Sequence, residues 1–246
     1  MKNNYVLLNN VEHADLKVVE QYSSDAGDGA AAVMTFPTEF ENIQREYPIL
    51  LRKNSEDDTF QAVAILGLQK GENLFLEGGK HSTNNGWAGN YVPAMVARGP
   101  FIIGFQEAGA DGDDAQPMVF VDLEHPRVSR SRGTPLFKEF GGNSAYLEQV
   151  SGVLRTIHQG AEVGRAMFAA LDEVGLIEPV SINIDLKNGD KHQLSGYYTV
   201  SEERLNALDG DTLHGLNAAG YLRGIFLMLS SLGNIEHLVA RKNLRI

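Results

Sequence analysis

From Leu147 to Leu171, apolar or small residues recur at strictly alternating intervals of three and four: Leu147, Val150, Leu154, Ile157, Ala161, Gly164, Phe168 and Leu171. Strands repeat every two residues and loops not at all, so this period commits the middle of the chain to one long amphipathic helix. Ser144 stands where an N-cap belongs. Gly175 stands where the chain would leave through a left-handed residue, with Pro179 just beyond. A helix of that length has to bury its stripe against a sheet or other helices.

The sequence before it supplies strands. Val6-Leu7-Leu8, Val33 to Phe36, Ile49 to Arg52, Ala62 to Leu68, Phe101 to Phe105 and Val119 to Asp122 are short β-branched or aromatic runs set between turn residues. Phe40 to Tyr47 reads as a short helix stopped by Pro48. After the long helix, Ile182 to Leu186 and Leu194 to Val200 flank an Asn188-Gly189 pair, a strong hairpin signal. Ser201-Glu202-Glu203 opens a short helix carrying Leu205 and Leu208, and Asp211 or Thr212 opens a second long helix reaching Leu229. The pairs Gly160/Gly164 and Gly220/Gly224 each share a helical face; since a helical glycine costs about 1 kcal/mol against alanine, close backbone approach is expected there. The fold class is α+β. A strand-rich part over 1–140 precedes a helix–hairpin–helix part over 144–240, with 1–246 expected to form a single domain.

Charge and cysteine content remove several functions. With 21 basic and 32 acidic residues the net charge is −11, which repels phosphate backbones, so nucleic acid is not an expected partner. There is no cysteine, which excludes disulfide scaffolds, thiol nucleophiles and cysteine-ligated metal and fits a reducing compartment. Met1 to Tyr5 carries one lysine, and no apolar run precedes Glu12, so no signal peptide is expected. The stretch Gly224 to Gly233 is too short to span a bilayer. A soluble, cytoplasmic protein follows as the expectation, with its oligomeric state left open.

Motifs for chemistry are sparse. The seven histidines show no HxxxH or HExxH spacing, no Gly-x-Ser-x-Gly elbow occurs, and no glycine-rich phosphate loop joins a strand to a helix. Asp122 and Glu124 would share a strand face beside His125, and His81 would complete a carboxylate–histidine metal set. A polar strand end before Pro126 is the simpler account of these residues. Asp111-Gly112-Asp113-Asp114 lacks the twelfth-position glutamate of a calcium loop and reads as solvated.

The most unusual segment runs from Asn85 to Phe101. It holds the single tryptophan, two prolines, and aromatic residues around one arginine. Such a block builds either part of a core or a rigid aromatic pocket with an arginine anchor. In the second case Trp87, Tyr91, Arg98 and Phe101 are the candidate ligand-binding residues.

An ordered set of short motifs extends beyond this segment. It comprises Glu46-Tyr47-Pro48-Ile49, Ala64 to Leu68, Glu72-Asn73-Leu74-Phe75, Trp87 with Tyr91-Val92-Pro93-Ala94, and Arg98-Gly99-Pro100-Phe101. There follow Gly133 with Leu136-Phe137, Gly175-Leu176-Ile177, Asn188-Gly189, Ser201 to Leu205 and Ser230-Ser231-Leu232. Together they resemble the SapC family, named after a protein encoded beside bacterial surface-layer genes, over nearly the whole chain from Val33 to Leu238. Gly99 departs from the family pattern, which more often has an aromatic residue there. The resemblance implies a link to surface-layer protein production or export. Family members encoded beside outer-membrane receptors and flavin-dependent halogenases point instead to small-molecule uptake or modification. It brings no catalytic residues and no cofactor. The expected function is therefore an accessory or binding protein with a protein or small-molecule partner, and the alternative is a metal-assisted enzyme using His81, Asp122 and His125.

Overall fold

Short runs of consecutive apolar residues in the first half form short antiparallel strands. The computed structural model describes residues 4–77, 84–105 and 117–246. In chain order these hold β1 (Tyr5–Leu7), β2 (Lys17–Val18), β3 (Ala32–Met34), α1 (Phe40–Ile43), β4 (Ile49–Lys53) and β5 (Phe60–Ile65). Next come α2 (Ala94–Ala97), β6 (Phe101–Phe105), β7 (Pro117–Asp122), β8 (Val128–Ser129) and β9 (Thr134–Pro135). The second half holds α3 (Ala145–Glu173), β10 (Ile177–Asp185), β11 (Lys191–Val200), α4 (Glu202–Asn206), α5 (Gly210–Ala218), α6 (Tyr221–Ser231) and α7 (Asn234–Asn243). The α+β class expected from the sequence is the one observed.

The largest sheet has strand order β10-β11-β4-β5-β3, so the late hairpin joins the early strands edge to edge. Its register runs Ile49↔Ala64 to Lys53↔Phe60 between β4 and β5, and Ala32↔Ile65 to Met34↔Val63 between β5 and β3. Pro37 then carries the chain away, leaving Phe60 paired with β4 but not on its β3 side. Two small sheets, β1-β7-β6 and β8-β2-β9, complete the strand layer.

Helix α3 starts where expected: the Ser144 hydroxyl accepts the Leu147 N–H at 3.2 Å. It ends at Gly175, whose φ of +68° is the left-handed exit a side chain would resist. Its buried face is not one straight stripe. Leu147, Val150 and Leu154 lie in a smaller core with Leu16, Val18, Phe101, Val121 and Leu136, whereas Met167, Phe168 and Leu171 enter the main core under the large sheet. Ala161 is exposed between them, and buried Gly160 takes its place. A 3.5-residue repeat on a 3.6-residue helix drifts by about 20° every seven residues, which turns the stripe from one core to the other.

The second long helix is corrected to two shorter ones, α5 and α6, with α7 following beyond its expected end. Gly220 has φ +77° and ends α5, so it closes a helix instead of sitting inside one. A second break at Leu232–Gly233 separates α6 from α7. Close approach is seen at Gly160, where a Cβ would overlap the Phe36 Cβ and the Thr38 Oγ1, and at Gly224, where it would come within 2.7 Å of the Met167 Cε. Gly164 is less confined, its hypothetical Cβ lying 3.4 Å from Phe168 and Pro37.

Candidate functional site

The aromatic block divides between the two cores. Trp87 is wholly buried, stacked on Phe75 at 5.9 Å and edge-on to Tyr22 at 5.6 Å. Its Nε1–H donates to the Tyr47 hydroxyl at 2.8 Å, and Tyr47 donates onward to the Tyr91 carbonyl. Burial pushes the Tyr47 phenol well above its ordinary range, so it stays a donor. Phe101 is equally buried, but in the smaller core. Arg98 caps α2, and its Nη1 donates to the Phe101 carbonyl at 2.8 Å. Trp87, Arg98 and Phe101 therefore hold the segment in place, and Tyr91 is the one of the four that lines a cavity.

That cavity, about 290 Å³, lies at the seam between the cores. Tyr91, Val92, Ala94 and Ala97 form one wall, and Tyr146, Gln149, Val150 and Val153 of α3 form another. Tyr22, Arg127 and Glu20 close it, with Asn84, Asn85 and Asn90 at its border. The Asn turn is locally strained, since Asn84 and Asn85 have φ of 51° and 56°, the region that asparagine tolerates best after glycine. The Asn85 carbonyl accepts the Tyr22 N–H at 2.8 Å, and the Asn84 side chain donates to the Gly89 carbonyl at 2.9 Å, so the strained turn is pinned from both sides.

Arg127 is the central charge. Its side chain is 5% exposed, lies over the Tyr22 ring at 4.6 Å, and donates through Nη2 to Asp28. Asp28 also accepts the Ser23 N–H at 2.9 Å. The pair is thereby neutralised, as burial requires. Yet the Arg127 Nε–H is buried with no acceptor, and the hydroxyls of Tyr22 and Tyr146 find no hydrogen-bond partner among the described residues. Burial raises both phenols above their ordinary range, so they remain protonated. The wall residues thus leave two phenol hydroxyls uncommitted, while the Arg127 Nε–H is shut away from any visitor.

Tyr91 connects this cavity to a buried carboxylate. Its hydroxyl donates to Glu39 Oε2 at 2.9 Å, which also accepts the Ala94 N–H at 2.9 Å, while Thr35 donates to Oε1 at 2.8 Å. Desolvation, only partly offset by these donors, holds the Glu39 carboxyl above its ordinary range.

The residues expected to hold a metal are differently engaged. Glu124 lies past the end of β7, not on its face, and its N–H donates to Asp122 Oδ1 at 3.1 Å, where the Asn4 N–H also donates at 2.9 Å. Nδ1 of His125 accepts the Arg127 N–H at 3.2 Å. Burial and the neighbouring Arg127 hold this imidazole below its ordinary range. His81 and the acidic loop Asp111 to Asp114 lie outside the described residues. Among the described residues, no three histidine or carboxylate side chains converge as a metal site would need.

A larger cleft, about 540 Å³, runs between α3 and β5, with Phe36, Phe60 and Phe168 as its apolar walls. Its charged groups, Asp57, Asp58, Arg165 and Asp172, are exposed. Of these two, the smaller cavity is the more enclosed and is the one walled by three tyrosines and Arg127. Tyr22, Arg127 and Tyr146 carry no motif or shared period, so nothing marked them beforehand beyond the turn-forming asparagines before Gly86.

The fold and the seam cavity define an α+β protein with a small polar pocket between two cores. The SapC family model matches residues 8–238, and the chain belongs to that family. Comparison with curated proteins and with solved structures returns no match. No helix among the described residues is long and apolar enough to cross a membrane.

Proposed function

We propose that this SapC-family protein is an accessory or binding protein that takes a small polar molecule into the seam cavity. One observation carries the reading: an enclosed cavity of about 290 Å³ walled by Tyr22, Tyr91, Tyr146 and Arg127, in which the Tyr22 and Tyr146 hydroxyls have no hydrogen-bond partner among the described residues. Preformed pockets with a few convergent polar groups are the usual form of small-molecule sites. Of the two associations attached to the family, uptake or modification of a small molecule fits this cavity better than direct handling of a surface-layer protein. A cytoplasmic location agrees with the absence of cysteine.

A thermal-shift screen of polar metabolites against the full chain tests the proposal, with Ala97→Phe as a plugged control. A compound that raises the melting temperature of the natural protein and not of Ala97→Phe supports it. Compounds that shift both proteins equally would place binding elsewhere and refute it.

A further inference from the structure

We infer that the cleft between α3 and β5 docks an extended peptide carrying basic side chains, at a place separate from the seam cavity. An open bonding position in the large sheet is the first argument. On the β3 side of β5 the hydrogen bonds fall at every second residue: the Leu66 N–H donates to the Ala31 carbonyl at 2.7 Å and the Thr35 N–H to the Ala62 carbonyl at 3.0 Å. Phe60 is the next residue in that series. On the other side the Asn54 N–H donates to the Thr59 carbonyl at 2.8 Å, so β4 bonds the neighbours of Phe60 and not Phe60 itself. The chain has by then turned at Pro37 towards α1, and the Phe60 N–H and carbonyl find no partner among the described residues. Residues 57–62 line one side of the cleft and 34–37 another, so this open pair faces into it. An extended backbone brings, at a single residue, the acceptor and the donor that Phe60 lacks, which is how a strand is added to a sheet edge.

Charge is the second argument. Asp57, Asp58 and Asp172 line the cleft against one cation, Arg165. Lys53 answers Asp58 at 3.3 Å, while Asp57 and Asp172 make no ion pair among the described residues. The Thr59 hydroxyl donates to Asp57 at 2.7 Å and holds its carboxyl below the ordinary range, so it stays charged. Lysine or arginine side chains on the peptide complement this rim, and acidic ones are repelled by it. The walls are the third argument. Phe36 and Phe168 are buried and Phe60 half-buried around a volume of about 540 Å³, which gives an apolar side chain of the peptide a place beside the backbone bonds.

The test is fluorescence anisotropy of the full chain with labelled peptides Lys-Val-X-Val-Lys, where X is leucine, methionine, phenylalanine or tyrosine. At least one should bind saturably. Replacing both lysines by glutamate should weaken it at least about tenfold. N-methylation at one of the three central residues, which removes a strand hydrogen bond, should weaken it as much. Ala161→Trp, at an exposed position of the α3 wall, should abolish binding, and Asp172→Lys should weaken it by about three- to tenfold. Failure of all four peptides to bind, equal binding by the glutamate versions, or indifference to N-methylation at every position would overturn the inference. So would binding that survives Ala161→Trp, or binding lost in Ala97→Phe, which plugs the seam cavity instead.

Discussion

The two cores solve the same packing problem with different means. The main core is organised around Trp87, Phe75 and Tyr47, whose polar atoms are linked in a chain ending at the Tyr91 carbonyl. The smaller core is aliphatic at its centre apart from Phe101, with Phe137 and Tyr146 at its margin, and residues 147–154 of α3 close it. One helix serves both, so neither core can be moved far without the other. The difference teaches where a pocket can form: not within either close-packed interior, but along the seam where aromatic side chains of both meet Arg127.

The sharpest way to break this comparison is to cut each core at its centre. Trp87→Ala should lower stability by about 3–5 kcal/mol and Leu136→Ala by about 2–5 kcal/mol in urea titrations. If α3 couples the cores, each variant shifts one common transition; two separate transitions would show that they unfold independently. Next in size is the spine itself. Gly160→Ala should cost about 1–3 kcal/mol because its Cβ overlaps Phe36 and Thr38. Gly164→Ala should fall between neutral and about 1 kcal/mol stabilising, since helix propensity improves and its Cβ reaches only ordinary contact distance. Equal effects at the two glycines would refute the close approach assigned to Gly160.

The smallest effects are those of pH, and they have opposite signs in the two regions. Glu39 packs against the main core with its folded pKa raised above 4.5. Between those values the folded state binds more protons, so stability falls as pH rises through the window, and Glu39→Gln should remove that slope. His125 lies beside Arg127 with its folded pKa below 6.5. There the unfolded state binds more protons, so stability falls as pH drops below 6.5, and His125→Gln should flatten that limb. Protonation of Nδ1 would also remove the acceptor for the Arg127 N–H, so ligand binding should weaken in acid along the same limb. Denaturant midpoints measured across the range separate the two slopes; slopes of one sign would contradict these assignments.

Most of the scaffold was legible because its signals are local. The Ser144 cap, the Gly175 exit and the Asn188-Gly189 hairpin each depend on a few adjacent residues, and all three are found where the sequence puts them. Gly220 was misread because a helical face and a helix end can both use glycine; only the backbone angle separates them. Ala161 was misplaced for a different reason, since the drift of a 3.5 repeat matters only when a helix has two cores to satisfy. The cavity was legible at Tyr91 alone. Its other polar groups come from separate segments spread over residues 20–149, and nothing in their spacing announces a meeting.

A last consequence follows from one border of the large sheet. Pro179 sits in β10 opposite Tyr198, one residue out of step with the bonding positions set by the Ser201 N–H on the Leu176 carbonyl, so its nitrogen faces outward with no N–H to offer. A stray strand arriving at this border therefore meets a proline. That edge is guarded against pairing with another molecule.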